Sequence, residues 1–252
     1  MTSRVFLIST IRSYSVCVTR VLDQTKRFRI FHEPFVSVYD EVHFPNVAGW
    51  FKETAFSSVD QVRDNIDGND VLIKDMAFAI HDYVSDIAGV DDRYILMFRN
   101  PKDVFVSFLK KRFTDDASTM LDLSGYNKLL SIHQYLRDKG CKNILVVCSD
   151  DLRGCLNKIF SFLSMEFKPE YLTWNNTDKE TISSRWTENK KDDQFFFWHG
   201  EALHSDHVEF KLGPYHSIDE IKHEPDRKLC DELINAAQKP YKKLLELTSC
   251  EY

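Results

Sequence analysis

No apolar run among these 252 residues approaches the roughly 18 residues that span a bilayer. The first twenty residues lack the apolar core and small-residue cleavage site of a secretory leader, so the expectation is a soluble, cytoplasmic chain without a membrane partner. A block of lysine and arginine is missing as well. With 33 basic and 39 acidic residues the formal charge is −6, which argues against general binding to nucleic acid or to anionic membranes. Any anion site must be built locally. The six cysteines, Cys17, Cys141, Cys148, Cys155, Cys230 and Cys250, form no CxxC pair and sit mostly within apolar patterns. That is the setting of buried free thiols rather than of disulfides or a zinc knuckle. The sequon Asn175-Asn176-Thr177 has no secretory context to use it. There is no internal repeat and no low-complexity tract. Also absent is GxxxxGK[ST], which counts against an ordinary kinase or ATPase with its phosphate-cradling lysine and Mg2+-binding hydroxyl.

What is present is an alternation of short apolar runs and amphipathic segments. Hydrophobic residues make up 43% and charged residues 29%, enough for a sizeable core, and residues 1–252 read as one domain. Strands are expected at Val5–Ile8, Arg27–Phe35, Val71–Met76, Arg93–Phe98 and Asn143–Ser149. Helices are expected from Ser15, at Ser58–Ile66, after Met76 to about Ala88, at Pro101–Phe113, at Ser124–Lys139 ending on Gly140, and at Asp151–Leu163. A last helix, about Asp226–Leu247, has to bend or restart near Pro240. Pro34 ends the second strand and pushes Glu33 extended. The stretch from there to Thr54, with Tyr39, Phe44, Pro45, Trp50 and Phe51, reads as an irregular aromatic wall, and residues 175–193 as a long loop. Strands apolar on both faces that alternate with helices are the signature of a three-layer α/β fold, a parallel sheet with helices on both faces.

The first unit, Arg4 to Leu22, carries the first chemical signal. The loop Thr10–Ser15, with Arg12 and three hydroxyls, lies between a strand and a helix N-terminus, where unpaired N–H groups and the peptide dipoles favour a phosphate or sulfate. The plain alternative is an ordinary βα start with Ser15 as N-cap. Ligands of open α/β sheets bind outside the carboxyl ends of the strands. Four polar groups fall there: Arg12 with Ser13 and Ser15, His32 with Glu33, Lys74 with Asp75, and Arg99. Cations clustered on one edge of an acidic protein point to a polyanionic small ligand, the alternative being separate solvated strand ends. His199, His204 and His207 match no strong ligand motif, and no metal is expected.

RNPKDVFVS, Arg99 to Ser107, resembles the segment with which sulfotransferases hold the 3′-phosphate of 3′-phosphoadenosine-5′-phosphosulfate (PAPS) through an Arg and a Ser eight residues later. The opening loop resembles the family's 5′-phosphosulfate loop in the form R-S-x-S. HEPF and IKDMA are similar to segments of small bacterial-type sulfotransferase-like proteins. The resemblance is clear to about Ser107, fold-level to about Leu163 and faint afterwards. It implies a P-loop NTPase-like fold, with Arg12, Ser13, Tyr14, Ser15 and Val16 on the 5′ end of the donor, Arg99 and Ser107 on its 3′ end, and no metal.

For the acceptor's proton, cytosolic members use a His where this chain has Met76, whereas carboxylate-using members place a Glu after the second strand, matched here by Glu33. Glu33 is the expected base, His32 its close competitor and Asp75 third; the plain alternative for Glu33 is capping or pairing with Arg12. Lys74 matches a family lysine beside the transferring sulfonate, with a solvent-seeking strand-end lysine as the alternative. The chain departs from the pattern twice. Tyr14 stands where many members have Gly, and the family's C-terminal Arg-Lys-Gly loop is missing. Arg185, Lys190 or Lys191 are candidates to replace it, with Trp186 for stacking on adenine. The implied reaction moves a sulfuryl group from PAPS, leaving 3′,5′-adenosine bisphosphate (PAP), to a hydroxyl or amine of a small-molecule acceptor. Natural-product tailoring is an analogy only, and the aromatics from Tyr39 to Phe56 with Asp40 and Glu41 suit a small amphipathic or cationic acceptor. The alternatives are a non-catalytic nucleotide-binding or interaction protein of the same fold, and a metal-dependent phosphotransferase.

Overall fold

The computed structural model describes residues 4–43, 56, 58–67, 70–111, 116–174, 207–208 and 216–249. Five strands, β1 (Val5–Ser9), β2 (Arg29–His32), β3 (Val71–Met76), β4 (Arg93–Phe98) and β5 (Ile144–Cys148), form one sheet in the order β2-β3-β1-β4-β5. Every pairing is parallel. The centre of the sheet is β1, whose residues are at most 2% exposed. Burying its Val, Phe, Leu and Ile side chains contributes roughly 6–12 kcal/mol before entropy is counted.

Alternate residues of each strand feed two separate cores. Phe6, Ile8, Ile73, Tyr94, Leu96 and Val146 join one, and Val5, Leu7, Leu72, Ile95, Met97 and Leu145 the other. The second core is covered by α1 (Ser15–Gln24) and α9 (Leu152–Phe162). The first lies under α2 (Pro34–His43), α3 (Val59–Asn65), α6 (Pro101–Lys111), α7 (Ala117–Ser124), α8 (Tyr126–Asp138) and the C-terminal α10 (Glu224–Leu247). The expected three-layer α/β architecture is what forms. Among the described residues no helix is long and apolar enough to cross a membrane. The described cysteines carry free thiols, and burial pushes Cys17, Cys148 and Cys230 up to about 12.

Four local expectations are corrected. The strand ending in HEPF stops at His32, and Glu33 is left-handed at φ 57 rather than extended. Pro34 then opens α2, so the first part of the supposed irregular wall is helical. The helix after β3 comes in pieces: α4 (Ala77–Ile80), a 3-10 turn at His81–Tyr83 and α5 (Val84–Ile87). Together they bury Ala77, Ala79, Ile80, Val84 and Ile87. Helix α7 lies where periodicity places no element; Asp116 caps it by accepting the Thr119 N–H at 2.6 Å. Gly125, at φ 82, ends α7 and starts α8, and a Cβ there would lie 3.1 Å from that of Ala77. The last helix forms as α10 and continues through Pro240, which is buried with Ala237, Tyr241 and Leu244.

Candidate functional site

The loop after β1 is pinned on two sides. Its Thr10 N–H donates to the Met97 carbonyl at 2.9 Å, and Ile11 N–H to that of Ser124 at 3.4 Å. Arg12 and Tyr14 take φ values of 54 and 63, turning the chain sharply into α1. Tyr14, not Ser15, is the N-cap residue, and it makes no side-chain cap bond. The first intrahelical bond is Val18 N–H to Tyr14 carbonyl, 3.0 Å, so the N–H groups of Ser15, Val16 and Cys17 precede it at the positive end of the helix. Ser13 is buried with its hydroxyl turned back to the Thr10 carbonyl at 2.7 Å. The hydroxyl oxygen of Thr10 is buried and has no hydrogen-bond partner among the described residues, an orphaned polar atom in the loop.

Arg12, Arg99 and Ser107 meet beside this loop. Arg12 Nε donates to Ser107 Oγ at 2.8 Å across 95 residues of sequence. Arg99 Nη1 donates to the Arg12 carbonyl at 3.3 Å, and its guanidinium lies 4.2 Å from the centroid of the Tyr14 ring. Arg99 Nη2 pairs with Asp103 at 2.9 Å. The turn that presents Arg99 is fastened from several sides: the Tyr126 hydroxyl donates to the Arg99 carbonyl at 2.6 Å, and Asn100 N–H donates to Asp150 at 3.0 Å. Tyr241 of α10 holds the other oxygen of Asp150 at 3.1 Å. Asp103 also accepts the His216 backbone N–H at 3.1 Å, tying this cluster to the chain just before α10. Arg12 thus lies against the Arg99–Ser107 segment rather than apart from it.

The second group comes from the ends of β2 and β3, where His32 stands opposite Lys74 in register. Lys74 is fully buried, which removes the solvent-seeking reading, and its ammonium is ion-paired with Glu33. Glu33 therefore pairs with Lys74 on the adjacent strand. His32 Nε2 is 3.6 Å from the same carboxylate oxygen, Oε1. Met76 sulfur lies 3.9 Å from Lys74 Nζ and 3.6 Å from the Ser9 hydroxyl. Asp75 is buried and accepts the N–H of Phe35 and its own neighbour's, Met76, each at 2.7 Å. Burial outweighs those bonds and pushes its carboxyl up to about 8, with the Glu33 charge adding to the rise. Asp75 holds the first turn of α2 on the sheet.

Other expected residues are placed differently. Tyr39 packs edge-on against Phe78 at 5.2 Å and Phe56 near Phe31 at 6.3 Å, both inside the core. His207 is exposed and forms an isolated antiparallel bridge with Thr173. Arg185, Trp186, Lys190, Lys191, His199, His204 and the loop 175–193 lie outside the described residues. The sequence reading missed Asp103, Tyr126, Asp150 and Tyr241. For Asp103 the signal was available, four residues beyond Arg99; the other three are long-range partners with no local mark.

No protein-family model matches this chain, and no curated protein matches it by sequence. Solved structures do resemble it. A mouse sulfotransferase crystallised with PAP is 15% identical, with a TM-score of 0.53, over 97% of this chain and 88% of its own. A retinol dehydratase bound to androsterone and PAP is 12% identical (TM-score 0.41, 99% and 82% covered). A shikimate kinase from Bacteroides thetaiotaomicron is 9% identical (TM-score 0.36, 66% and 100%). Of these three, the mouse enzyme superposes closely enough to establish that this chain has a sulfotransferase-like fold.

Proposed function

We propose that this chain is a sulfotransferase, moving a sulfuryl group from PAPS to a hydroxyl or amine of a small-molecule acceptor. The observation that carries the reading is the meeting of Arg99, Ser107 and Arg12 at the carboxyl edge of the sheet, beside the N-terminus of α1. Two guanidinium groups, a hydroxyl and the first-turn N–H groups of a helix suit a nucleotide with anionic groups at both ends. The orphaned Thr10 hydroxyl adds a further polar group in the same loop. Such a donor brings its own activated sulfonate. On the protein side, Arg99 and Ser107 would hold the 3′-phosphate, while Arg12 and the N–H groups of Ser15 and Val16 neutralise the 5′ end.

Lys74 and Glu33 supply the other half of the proposal. Lys74 brings positive charge to the edge where the transferring group would sit. Its ion pair with Glu33 needs the ionised carboxylate, the form a base must have. His32, 3.6 Å from that carboxylate, is the neighbouring group able to share the proton. The same ion pair favours a second reading, a nucleotide-binding protein without turnover, because Lys74 already occupies the proposed base and Met76 stands where a histidine base is expected.

Titration calorimetry with PAP in EDTA tests the site. Micromolar binding that Arg99→Lys weakens by about ten- to a hundredfold, the loss of one charge-assisted bidentate contact of about 1.5–3 kcal/mol, supports it. No binding, or binding only with Mg2+, rejects it in favour of a metal-dependent phosphotransferase. An acceptor screen with PAPS then separates enzyme from silent binder.

A further inference from the structure

Helix capping does not explain Tyr14. It occupies the N-cap of α1, a position that favours Ser, Thr, Asp or Asn, yet its side chain makes no cap bond. Its φ of 63 lies in the left-handed region, which an aromatic L-residue enters at a cost. Arg12 at φ 54 and Glu33 at φ 57 are left-handed on the same edge, and Lys26, Asp70 and Ser164 are left-handed elsewhere in the fold. The Tyr14 ring packs against the core beneath α1 and also meets Arg99, whose guanidinium lies 4.2 Å from the ring centroid. Arg99 is only 2% exposed. Two of its nitrogens are held by Asp103 and the Arg12 carbonyl, and its central carbon lies over the tyrosine ring. A planar guanidinium engages a phosphate bidentately only when its plane is turned correctly, so a ring that fixes the plane also fixes the contact.

We infer that Tyr14 is a positioning residue for Arg99, and that it sets the preference for a nucleotide carrying a phosphate on the 3′ position over one without it. The inference rests on the nucleotide-site reading above and adds to it the residue that orients the guanidinium.

The test is calorimetry of PAP and of 5′-AMP with the full chain and with Tyr14→Phe, Tyr14→Leu and Tyr14→Gly, alongside melting temperatures. The unmodified chain should favour PAP at least tenfold. Tyr14→Phe, which keeps the ring, should retain that ratio within about twofold. Tyr14→Leu and Tyr14→Gly should lose about tenfold more in PAP affinity than in AMP affinity, with the relaxed backbone at φ 63 in Tyr14→Gly offsetting part of the lost ring packing in its melting temperature. An unchanged PAP-to-AMP ratio in Tyr14→Leu and Tyr14→Gly overturns the inference. So does an equal loss of both nucleotides that follows a fall in melting temperature, or tighter PAP binding in Tyr14→Gly, which would make the ring an obstruction. If the unmodified chain shows no preference for PAP, the nucleotide-site reading fails first and the role of Tyr14 with it.

Discussion

Glu33 and Lys74 are clasped at two points: the Glu33 backbone N–H donates to the Lys74 carbonyl at 2.6 Å, and the two side chains form an ion pair inside the protein. Removing one partner leaves the other charged and desolvated, which costs about 3–5 kcal/mol. Glu33→Ala and Lys74→Met should each destabilise the fold by that order. The double variant should recover much of the loss, because no unmatched charge is then buried. Urea denaturation of the four chains gives the coupling directly; costs that simply add would mean that the pair is not energetically joined.

Asp75 imposes a pH dependence whose sign follows from its displaced pKa. The carboxyl is raised from its usual 3.8 to about 8 in the folded chain, first by burial and then by Glu33. Between those values the native state holds a proton that the unfolded state has lost, so stability falls as pH rises and levels off once the native carboxyl has ionised. The slope contributed by one such group is at most about 1.4 kcal/mol per pH unit. Comparing the unmodified chain with Asp75→Asn from pH 5 to 9 cancels other titrations. The advantage of the unmodified chain should shrink steadily to about pH 8 and stay constant above it.

Ser107 and Arg12 share one hydrogen bond, so their contributions to ligand binding should not be independent. Ser107→Ala is expected to weaken PAP about five- to tenfold, equivalent to about 1–1.4 kcal/mol for one lost hydrogen bond. Adding Arg12→Ala should cost less than the sum of the single effects. Full additivity in calorimetry would indicate that the 2.8 Å contact does not persist when ligand binds.

Pro240 offers a stabilising substitution. It interrupts the hydrogen bonding of α10 from inside the helix, and replacing proline by alanine in a helix interior gains about 3 kcal/mol. Against this stands the loss of two buried methylenes, about 0.8 kcal/mol each. Pro240→Ala should therefore stabilise by about 1 kcal/mol, visible as a melting temperature about 2–4 °C higher. A lower melting temperature would mean that the ring's packing against the core outweighs the missing bond.

The sheet was legible in the sequence because its strands are short apolar runs bounded by turns, and Val71–Met76 and Arg93–Phe98 fall where those runs place them. The expected helix starts at Ser58 and Asp151 fall one residue before α3 and α9, where those two residues stand as N-caps. Helix α2 was missed for the opposite reason. Its first turn is held by Asp75, 40 residues away on another strand, and Pro34 reads equally as the end of a strand or the start of a helix. In the candidate site, Arg99 and Ser107 were visible as a spaced pair in one segment. Their contacts with Arg12 and Tyr14 depend on the neighbouring places of β1 and β4 in the sheet, which no local pattern encodes. The lysine–glutamate pair was hidden similarly: Glu33 follows β2, Lys74 lies within β3, and only parallel register brings them together.

The central position of β1 has a consequence for synthesis. Val5–Ser9 is made before both of its sheet neighbours, Val71–Met76 and Arg93–Phe98. At ribosomal rates of about 5–20 residues per second, the first strand waits roughly 5–20 s for both. During that interval both edges of an apolar strand are unpaired and open to wrong partners. The candidate site shares the delay, since Arg12 is made long before Ser107. A truncation series during translation should acquire protease resistance and PAP binding no earlier than the lengths that release β4 and α6.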